Sequence, residues 1–180
     1  MNTGTGPGVF TSDGSPVEFY AAIDAAGEPE IIQRGVPAGG SILELGALER
    51  RFDAVLLASL LIHVPLVSTR RRFLDCCRRH VRDDGVVVIQ WIPLDVRATW
   101  SVGTTFGRSG FTTTITEFAP SGRDLVNLTL RYETDGRLWT QSIVERPLSD
   151  DQLTTALAES GLVVDRFLTP DRTWLTARPS

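Results

Sequence analysis

Three short apolar stretches, none of which alternates with polar residues, mark buried strands in the first half of the chain. They are Ser41–Gly46, Phe52–Ala58 and Val86–Ile92. Continuous apolar runs of this length are typical of strands that are buried on both faces, as in parallel sheets. A helical stripe at Ser68–Val81 separates the second run from the third. The pattern predicts a strand–helix–strand unit over residues 52–92, in which the two strands are parallel.

The helix predicted at Ser68–Val81 should bury one face. Phe73, Leu74 and Cys77 recur at helical spacing, and Ser68 is a suitable N-cap. The run Arg70–Arg72 is expected on the solvated face, although a phosphate-binding patch is an alternative interpretation. The next residues, Asp83-Asp84-Gly85, predict the turn into the following strand.

The second half of the chain has a different pattern, in which apolar and polar residues alternate. Phe111–Phe118, Leu125–Thr134 and Arg137–Glu145 predict strands, and the two-residue turn Asp135-Gly136 makes the last two an antiparallel hairpin. Ser149-Asp150-Asp151-Gln152 forms a capping box that opens a helix. A closing pair of strands is predicted at Val163–Leu168 and Thr173–Ala177.

The connection between the first two strands is unusually short. Parallel neighbours need a crossover of about a dozen residues, but only Ala47–Arg51 lies between these two runs. A link of this length leaves no room for a covering helix, so Val55 and Leu57, or their neighbours, are expected to be exposed. Exposed strand faces and open edges favour pairing with another copy, which predicts a homodimer.

Composition restricts the class of protein. The chain has 180 residues, which predicts a single domain over residues 1–180 with a flexible arm at residues 1–14. Its net charge of −4 gives no electrostatic argument for a nucleic-acid partner. Only two cysteines, Cys76 and Cys77, are present, which favours a reducing cytoplasm. No stretch is long and apolar enough to predict a membrane span, and no metal-ligand spacing is found.

Several of these segments together resemble the class I S-adenosylmethionine-dependent methyltransferases, of the small-molecule type common in actinobacteria. Asp13–Tyr20 resembles the lead-in to that family's first strand, and Ile42–Ala47 resembles the start of its glycine-rich motif. Arg51–Leu57 resembles its fourth strand, and Gly85–Trp91 resembles its fifth. The resemblance implies a Rossmann-like α/β sheet followed by an antiparallel C-terminal half.

The chain departs from the family pattern after Gly46. In the family, two more glycines, a helix, a strand that ends in the acid holding the ribose, and a strand near the adenine come next. Here Leu48-Glu49-Arg50-Arg51 leads directly into the fourth strand. The sequence therefore predicts a sheet truncated between the first and fourth family strands. Asp53 is not expected to replace the ribose acid, because it begins a strand whereas that acid ends one.

The resemblance also suggests the site residues. It implies that S-adenosylmethionine is the cofactor and that Glu44 binds its amino acid end. Contacts at Gly46, Ala47, Ser59, Leu60 and Tyr20 complete the set of cofactor-binding residues that it implies. Independently, His63 lies just beyond a strand end, and its ordinary pKa near 6.5 suits a general base. The alternative is a histidine satisfied by packing. Trp91, Trp100 and Trp139 either line an acceptor pocket or pack in the core.

Two functions remain open from the sequence. The first is methyl transfer from S-adenosylmethionine to an oxygen or nitrogen of a small molecule. In the second, the protein keeps the methyltransferase fold but has lost the cofactor, and it acts as a non-enzymatic binding module or a repurposed, cyclase-like protein. The intact terminal segments favour the first function, and the short link after Ala47 favours the second.

Overall fold

The computed structural model describes residues 2–11, 14–22, 27–44, 50–108 and 110–180, with the backbone alone at Glu44 and Arg108. The chain divides into two compact units, each formed by two separate stretches of sequence. The first unit takes Met1–Ala26 and Ala98–Arg146, and the second takes Gly27–Arg97 and Pro147–Ser180. The expected single domain stays a prediction.

Strands and helices alternate in the second unit, whereas strands dominate the first. The strands are β1 (Thr3–Thr5), β2 (Ile42–Glu44), β3 (Phe52–Leu57), β4 (Val81–Gln90), β5 (Thr105–Arg108), β6 (Phe111–Pro120), β7 (Val126–Thr134), β8 (Arg137–Glu145), β9 (Leu162–Phe167) and β10 (Trp174–Pro179). The helices are α1 (Val17–Ala22), α2 (Glu28–Gly35), α3 (Val67–His80), α4 (Leu94–Arg97) and α5 (Asp150–Glu159), and a 3₁₀ turn spans Leu61–His63.

The second unit is built on a mixed sheet in the order β2-β3-β4-β10-β9. β2, β3 and β4 run parallel, with Ile42 opposite Ala54 and Val55 opposite Val87. β10 is antiparallel to both β4 and β9. This topology confirms the predicted strand–helix–strand unit, the closing antiparallel pair and the direct pairing of the first two apolar runs.

Helices cover both faces of this sheet. On one face, Val55 and Leu57 pack with Leu74 of α3 and with Leu153 and Leu157 of α5. On the other face, Ala54, Val86 and Val88 pack with Ile31 and Ile32 of α2. The expectation that Val55 and Leu57, or their neighbours, are exposed is therefore wrong. Ala54, Val55 and Leu57 are fully buried, and Leu56 packs against the core of the other face. α3 belongs to the crossover from β3 to β4, and it covers β3.

Helix α3 confirms the predicted stripe except at Phe73. Leu74 and Cys77 are fully buried, whereas Phe73 is only half-buried against the core. The predicted N-cap is wrong, because the helix begins at Val67 after Leu66 and has no side-chain cap. The predicted turn at Asp83-Asp84-Gly85 is also wrong, since β4 includes these residues and absorbs them in a register shift against β3.

The first unit is an antiparallel sheet in the order β1-β8-β7-β6-β5. The predicted hairpin turn is confirmed, with positive φ angles of 48° at Asp135 and 70° at Gly136. One sheet face buries Tyr132 and Trp139 beneath Phe19 of α1. Part of the segment expected to be a loose arm is instead the edge strand β1, which pairs with Thr140–Ser142 of β8. This pairing uses the backbone, so the polar sequence of β1 gave no sign of it.

Candidate functional site

The parallel pairing of β2 and β3 brings several predicted site residues to one edge of the sheet. Glu44, the last residue of β2, lies opposite Leu56, and β3 ends one residue later. Ser59 and Leu60 follow β3 at this same carboxyl edge, which is where open α/β sheets bind their ligands. Gly46 and Ala47 lie outside the described residues, as does the Glu44 side chain.

Ser59 and Leu60 have an unusual backbone conformation. Their φ angles are 54° and 58°, in the left-handed region that residues with a Cβ rarely adopt. Such a conformation costs roughly 1–2 kcal/mol per residue, and strained residues of this kind concentrate at functional sites. The strain is an argument for this edge that is independent of the sequence resemblance.

His63 is held by the backbone rather than directed at solvent. The side chain is fully buried, and its Nε2 accepts a hydrogen bond of 3.0 Å from the N–H of Ile92, just beyond β4. An Nε2 that accepts is unprotonated, so the ring is neutral with its proton on Nδ1. This nitrogen cannot take a proton from a substrate without losing that bond. The geometry favours a structural role for His63, and the base role stays a prediction.

Arg70 secures the turn that carries His63. Its side chain is buried, with Nε donating to the carbonyl of Ile62 at 2.7 Å and Nη2 donating to that of Val64 at 3.3 Å. The expected solvated position of Arg70 is therefore wrong. The sequence contained a signal for this role, because Arg70, Leu74 and Cys77 share the i, i+4, i+7 spacing of the buried stripe.

Tyr20 belongs to the first unit and takes part in a chain of hydrogen bonds. Its hydroxyl lies 3.3 Å from that of Tyr132, which donates to Oε1 of Gln141 at 2.8 Å. Nε2 of Gln141 in turn donates to Ser15 at 3.0 Å. Tyr132 has a single hydroxyl proton and uses it on Gln141, so Tyr20 is the donor to Tyr132. Tyr20 is 47% exposed, and its role in cofactor binding stays a prediction.

Asp53 lies at the opposite end of β3 from Ser59. Its Oδ2 accepts from the backbone N–H and the hydroxyl of Ser41, each at 2.7 Å, and Arg82 bonds its Oδ1. These contacts, with the Ser41 backbone N–H contributing most, lower the pKa of Asp53 from 3.8 to about 2. Asp53 therefore ties the amino ends of two strands together, as expected of an acid that begins a strand.

The tryptophans favour the packing interpretation. Trp91 and Trp139 are fully buried, and Trp100 is half-buried against Phe106 and Phe118. Within the described residues, no three histidine, cysteine, aspartate or glutamate side chains gather in a metal-binding group. Of the helices described, none combines the length and apolar character that a membrane span requires.

Comparison with known proteins adds fold-level information only. No family model matches the chain, and no curated protein matches it. Several solved structures do match the chain. A Clostridium acetobutylicum S-adenosylmethionine-dependent methyltransferase aligns with a TM-score of 0.55 at 12% identity, over 76% of this chain and 61% of that one.

The amino pentose methyltransferase CalS10 from Micromonospora echinaspora aligns at 0.52 and 17% identity, over 76% of this chain and 61% of that one. For the sugar N-methyltransferase KedS8 from a Streptoalloteichus species, the TM-score is 0.51 at 20% identity, over 76% and 60%. The chain has the class I S-adenosylmethionine-dependent methyltransferase fold. It spans about three fifths of the length of these three structures.

The methyltransferase fold allows the fit of the cofactor to be tested on the strands. β2, β3 and β4 correspond to the first, fourth and fifth strands that the resemblance implied, so the predicted truncation is confirmed. In the described part of the chain, β2 pairs with β3 alone, and no strand outside it presents an acid for the ribose. The described residues beside β2 therefore present no acid for the ribose, and the contacts to the amino acid end stay a prediction, because the Glu44 side chain, Gly46 and Ala47 lie outside the described residues.

Proposed function

We propose that this chain serves methyl transfer from S-adenosylmethionine to an oxygen or nitrogen of a small molecule. The observation that carries the proposal is the sheet of the second unit. Its parallel strands β2 and β3 present Glu44, Ser59 and Leu60 at one carboxyl edge, and two of these residues have a strained backbone. Ligands bind at this edge in open α/β sheets, and strain of this kind indicates function there.

The acceptor class is part of the same proposal. Two of the similar structures carry the names of an amino pentose methyltransferase and a sugar N-methyltransferase, which supports a hydroxylated or amino-bearing small molecule. Positioning of the acceptor contributes more to the reaction rate than acid–base assistance does, because His63 is already bonded to the backbone.

Calorimetric titration with S-adenosylmethionine tests the proposal. Binding at micromolar concentration, lost on Gly46→Val, is the expected result, since a branched side chain would block the close backbone approach of the ligand. Gly39→Val is the matched control for a glycine substitution, because a Cβ at Gly39 meets no atom within 4 Å. Because Gly39 has a φ of 72°, a valine there is strained, and the stability of Gly39→Val is measured together with its binding. Unchanged binding by Gly46→Val would place the ligand elsewhere.

The second candidate is a methyltransferase-fold protein that has lost the cofactor and acts as a binding module or a repurposed, cyclase-like protein. The observation that favours it is the position of β2, which has no described strand on its outer side to hold the adenosine. If a folded protein gives no binding signal at millimolar S-adenosylmethionine, this candidate is favoured over the first.

The quaternary state is a proposal as well. In the described part of the chain β2 is an edge strand and carries Ile42, which is 44% exposed, so this strand is suited to pairing with a second copy in a homodimer. Because Val55 and Leu57 are buried, the argument for a homodimer depends on the edge strand β2 alone. Sedimentation at micromolar concentration tests it, and a monomer at that concentration would refute it. A cytoplasmic location without a nucleic-acid or membrane partner completes the proposal.

A further inference from the structure

A polar cavity lies on the first unit's sheet, on the face opposite the Phe19 core. Its volume is about 230 Å³, below the roughly 300–1,000 Å³ of sites for drug-sized ligands, so it suits a small molecule. Three adjacent strands, β6, β7 and β8, supply its lining: Glu117, Asn127, Thr129, Ser142, Ile143 and Val144. None of these residues belongs to the strand edge of the second unit.

A β-bulge places the charged group in this cavity. On β6, Ile115 lies opposite Leu130 and faces the core, and strict alternation would direct Glu117 to that same side. The register instead shifts between Ile115 and Glu117, so that Glu117 lies opposite Thr129 and Phe118 returns to the core side opposite Leu128. Bulges commonly redirect a side chain at a functional position, and this one removes a carboxylate from the core.

The hydroxyl groups of the cavity form a chain with a defined direction. Thr129, whose side chain is almost fully buried, donates to Oε2 of Glu117 at 2.9 Å. Its oxygen lies 3.0 Å from that of Ser142. The single hydroxyl proton of Thr129 is used on Glu117, so Ser142 is the donor in the second contact. The lone pairs of Ser142 and the remaining ones of Glu117 are then acceptors.

Glu117 is an exposed residue, so a ligand can reach its carboxylate from solvent. In the part of the chain that the structure describes, no cation pairs with Glu117. Among the other lining side chains, Asn127 alone can donate from its amide, since the hydroxyl protons of Thr129 and Ser142 are already used. A site in which acceptors outnumber donors beside a carboxylate selects a cationic ligand with several donors.

We propose that this cavity binds a small molecule that carries a primary ammonium group next to hydroxyl groups. The ammonium bonds Glu117, and a neighbouring hydroxyl donates to Ser142. Asn127 receives the next polar group. This binding does not depend on S-adenosylmethionine or on methyl transfer, so failure of the proposed function leaves it unchanged.

Saturation-transfer NMR and titration with D-glucosamine test the proposal on the full chain, with D-glucose as the probe that lacks the amine. Glucosamine is expected to bind at millimolar concentration, about tenfold or more tightly than glucose, because a charge-assisted hydrogen bond replaces a neutral one. Equal binding of the two sugars, or no binding of glucosamine at millimolar concentration, would overturn it.

Variants assign the binding to the cavity. Glu117→Gln keeps the shape and removes the charge, and it should weaken glucosamine binding about tenfold. Glu133→Gln is the matched control, because Glu133 is exposed on the same face of β7, four residues from Thr129 and outside the lining. It should leave binding unchanged. Retained binding in Glu117→Gln, or equal loss in both variants, would refute the assignment, and thermal unfolding verifies that each variant is folded.

Discussion

Arg70→Met is the substitution that most directly tests how the turn after β3 is held. The methionine keeps the unbranched apolar stem of the side chain and removes the guanidinium. Two carbonyl groups, those of Ile62 and Val64, then lose their donor. Arg70 itself is only 4% exposed, so water has little access to replace it.

The expected cost follows from these contacts. A hydrogen bond from a charged donor contributes about 1.5–3 kcal/mol, and a buried group left unpaired costs about 1–3 kcal/mol. The second bond is long, at 3.3 Å, and counts for less. We expect Arg70→Met to lower the free energy of unfolding by about 2–4 kcal/mol. Arg70→Lys should recover only part of this loss, because a lysine lacks the planar fork that reaches two carbonyls.

Arg71→Met is the matched control on the same helix. Arg71 is exposed and pairs with Asp75 one turn further on and with Glu159 at 3.6 Å, and exposed ion pairs of this kind are worth about 0.2–1 kcal/mol. Urea unfolding at constant m-value measures both variants. Amide exchange at His63 and Val64 should quicken in Arg70→Met alone. If the two methionine variants differ by less than about 0.5 kcal/mol, the argument that Arg70 holds the turn is wrong.

Three further outcomes can be measured on the same protein. The pKa of Asp53 is depressed, so its stabilisation is present above the unfolded value of 3.8 and is lost as the pH falls through about 2. The thermal midpoint of Asp53→Asn should therefore change less with pH over that window than that of the wild type. Tyr132→Phe should lower the free energy of unfolding in urea by about 1–3 kcal/mol, because the buried Gln141 loses a donor, whereas Tyr20→Phe should cost less, because Tyr20 is 47% exposed. Ser149→Ala removes one half of a capping box whose bonds measure 2.9 and 3.2 Å and should cost about 0.5–2 kcal/mol, and a change in α5 helicity with no change in stability would contradict this.

Local patterns predicted much of the fold because they report short-range physics. β8 has the predicted bounds, since strict alternation and the Asp135-Gly136 turn fix a hairpin register. β1 was missed because an edge strand pairs through its backbone, and its residues Thr3–Thr5 carry no apolar signal. The start of β4 was missed because Asp83-Asp84-Gly85 has the composition of a turn. A Cβ at Gly85 would lie 2.8 Å from the carbonyl oxygen of Asp53, so close backbone approach explains this glycine.

The candidate site was predictable only in its position. Parallel strands place their carboxyl ends at one edge, which brought Glu44, Ser59 and Leu60 together as expected. The left-handed backbone at Ser59 and Leu60 has no sequence signature, since neither residue type favours it. The partner of His63 is the backbone of Ile92, 29 positions away in sequence. A contact of that range depends on the packed crossover and leaves no trace in the local pattern.

The short link between β2 and β3 is long enough to join the two strands as a parallel pair. Glu44 lies opposite Leu56, so the chain must return four residues along β3, about 13 Å, to begin that strand at Phe52. The seven residues 45–51 reach about 23–25 Å when extended, which is ample. The parallel pair therefore forms without the family's intervening helix and strands, and α3 supplies the cover that β3 needs. Because the truncation leaves the core of the second unit closed, a folded protein is expected whether or not the cofactor binds. Stability measurements alone cannot distinguish the two candidate functions, and the titration with S-adenosylmethionine has to be interpreted on a protein already known to be folded.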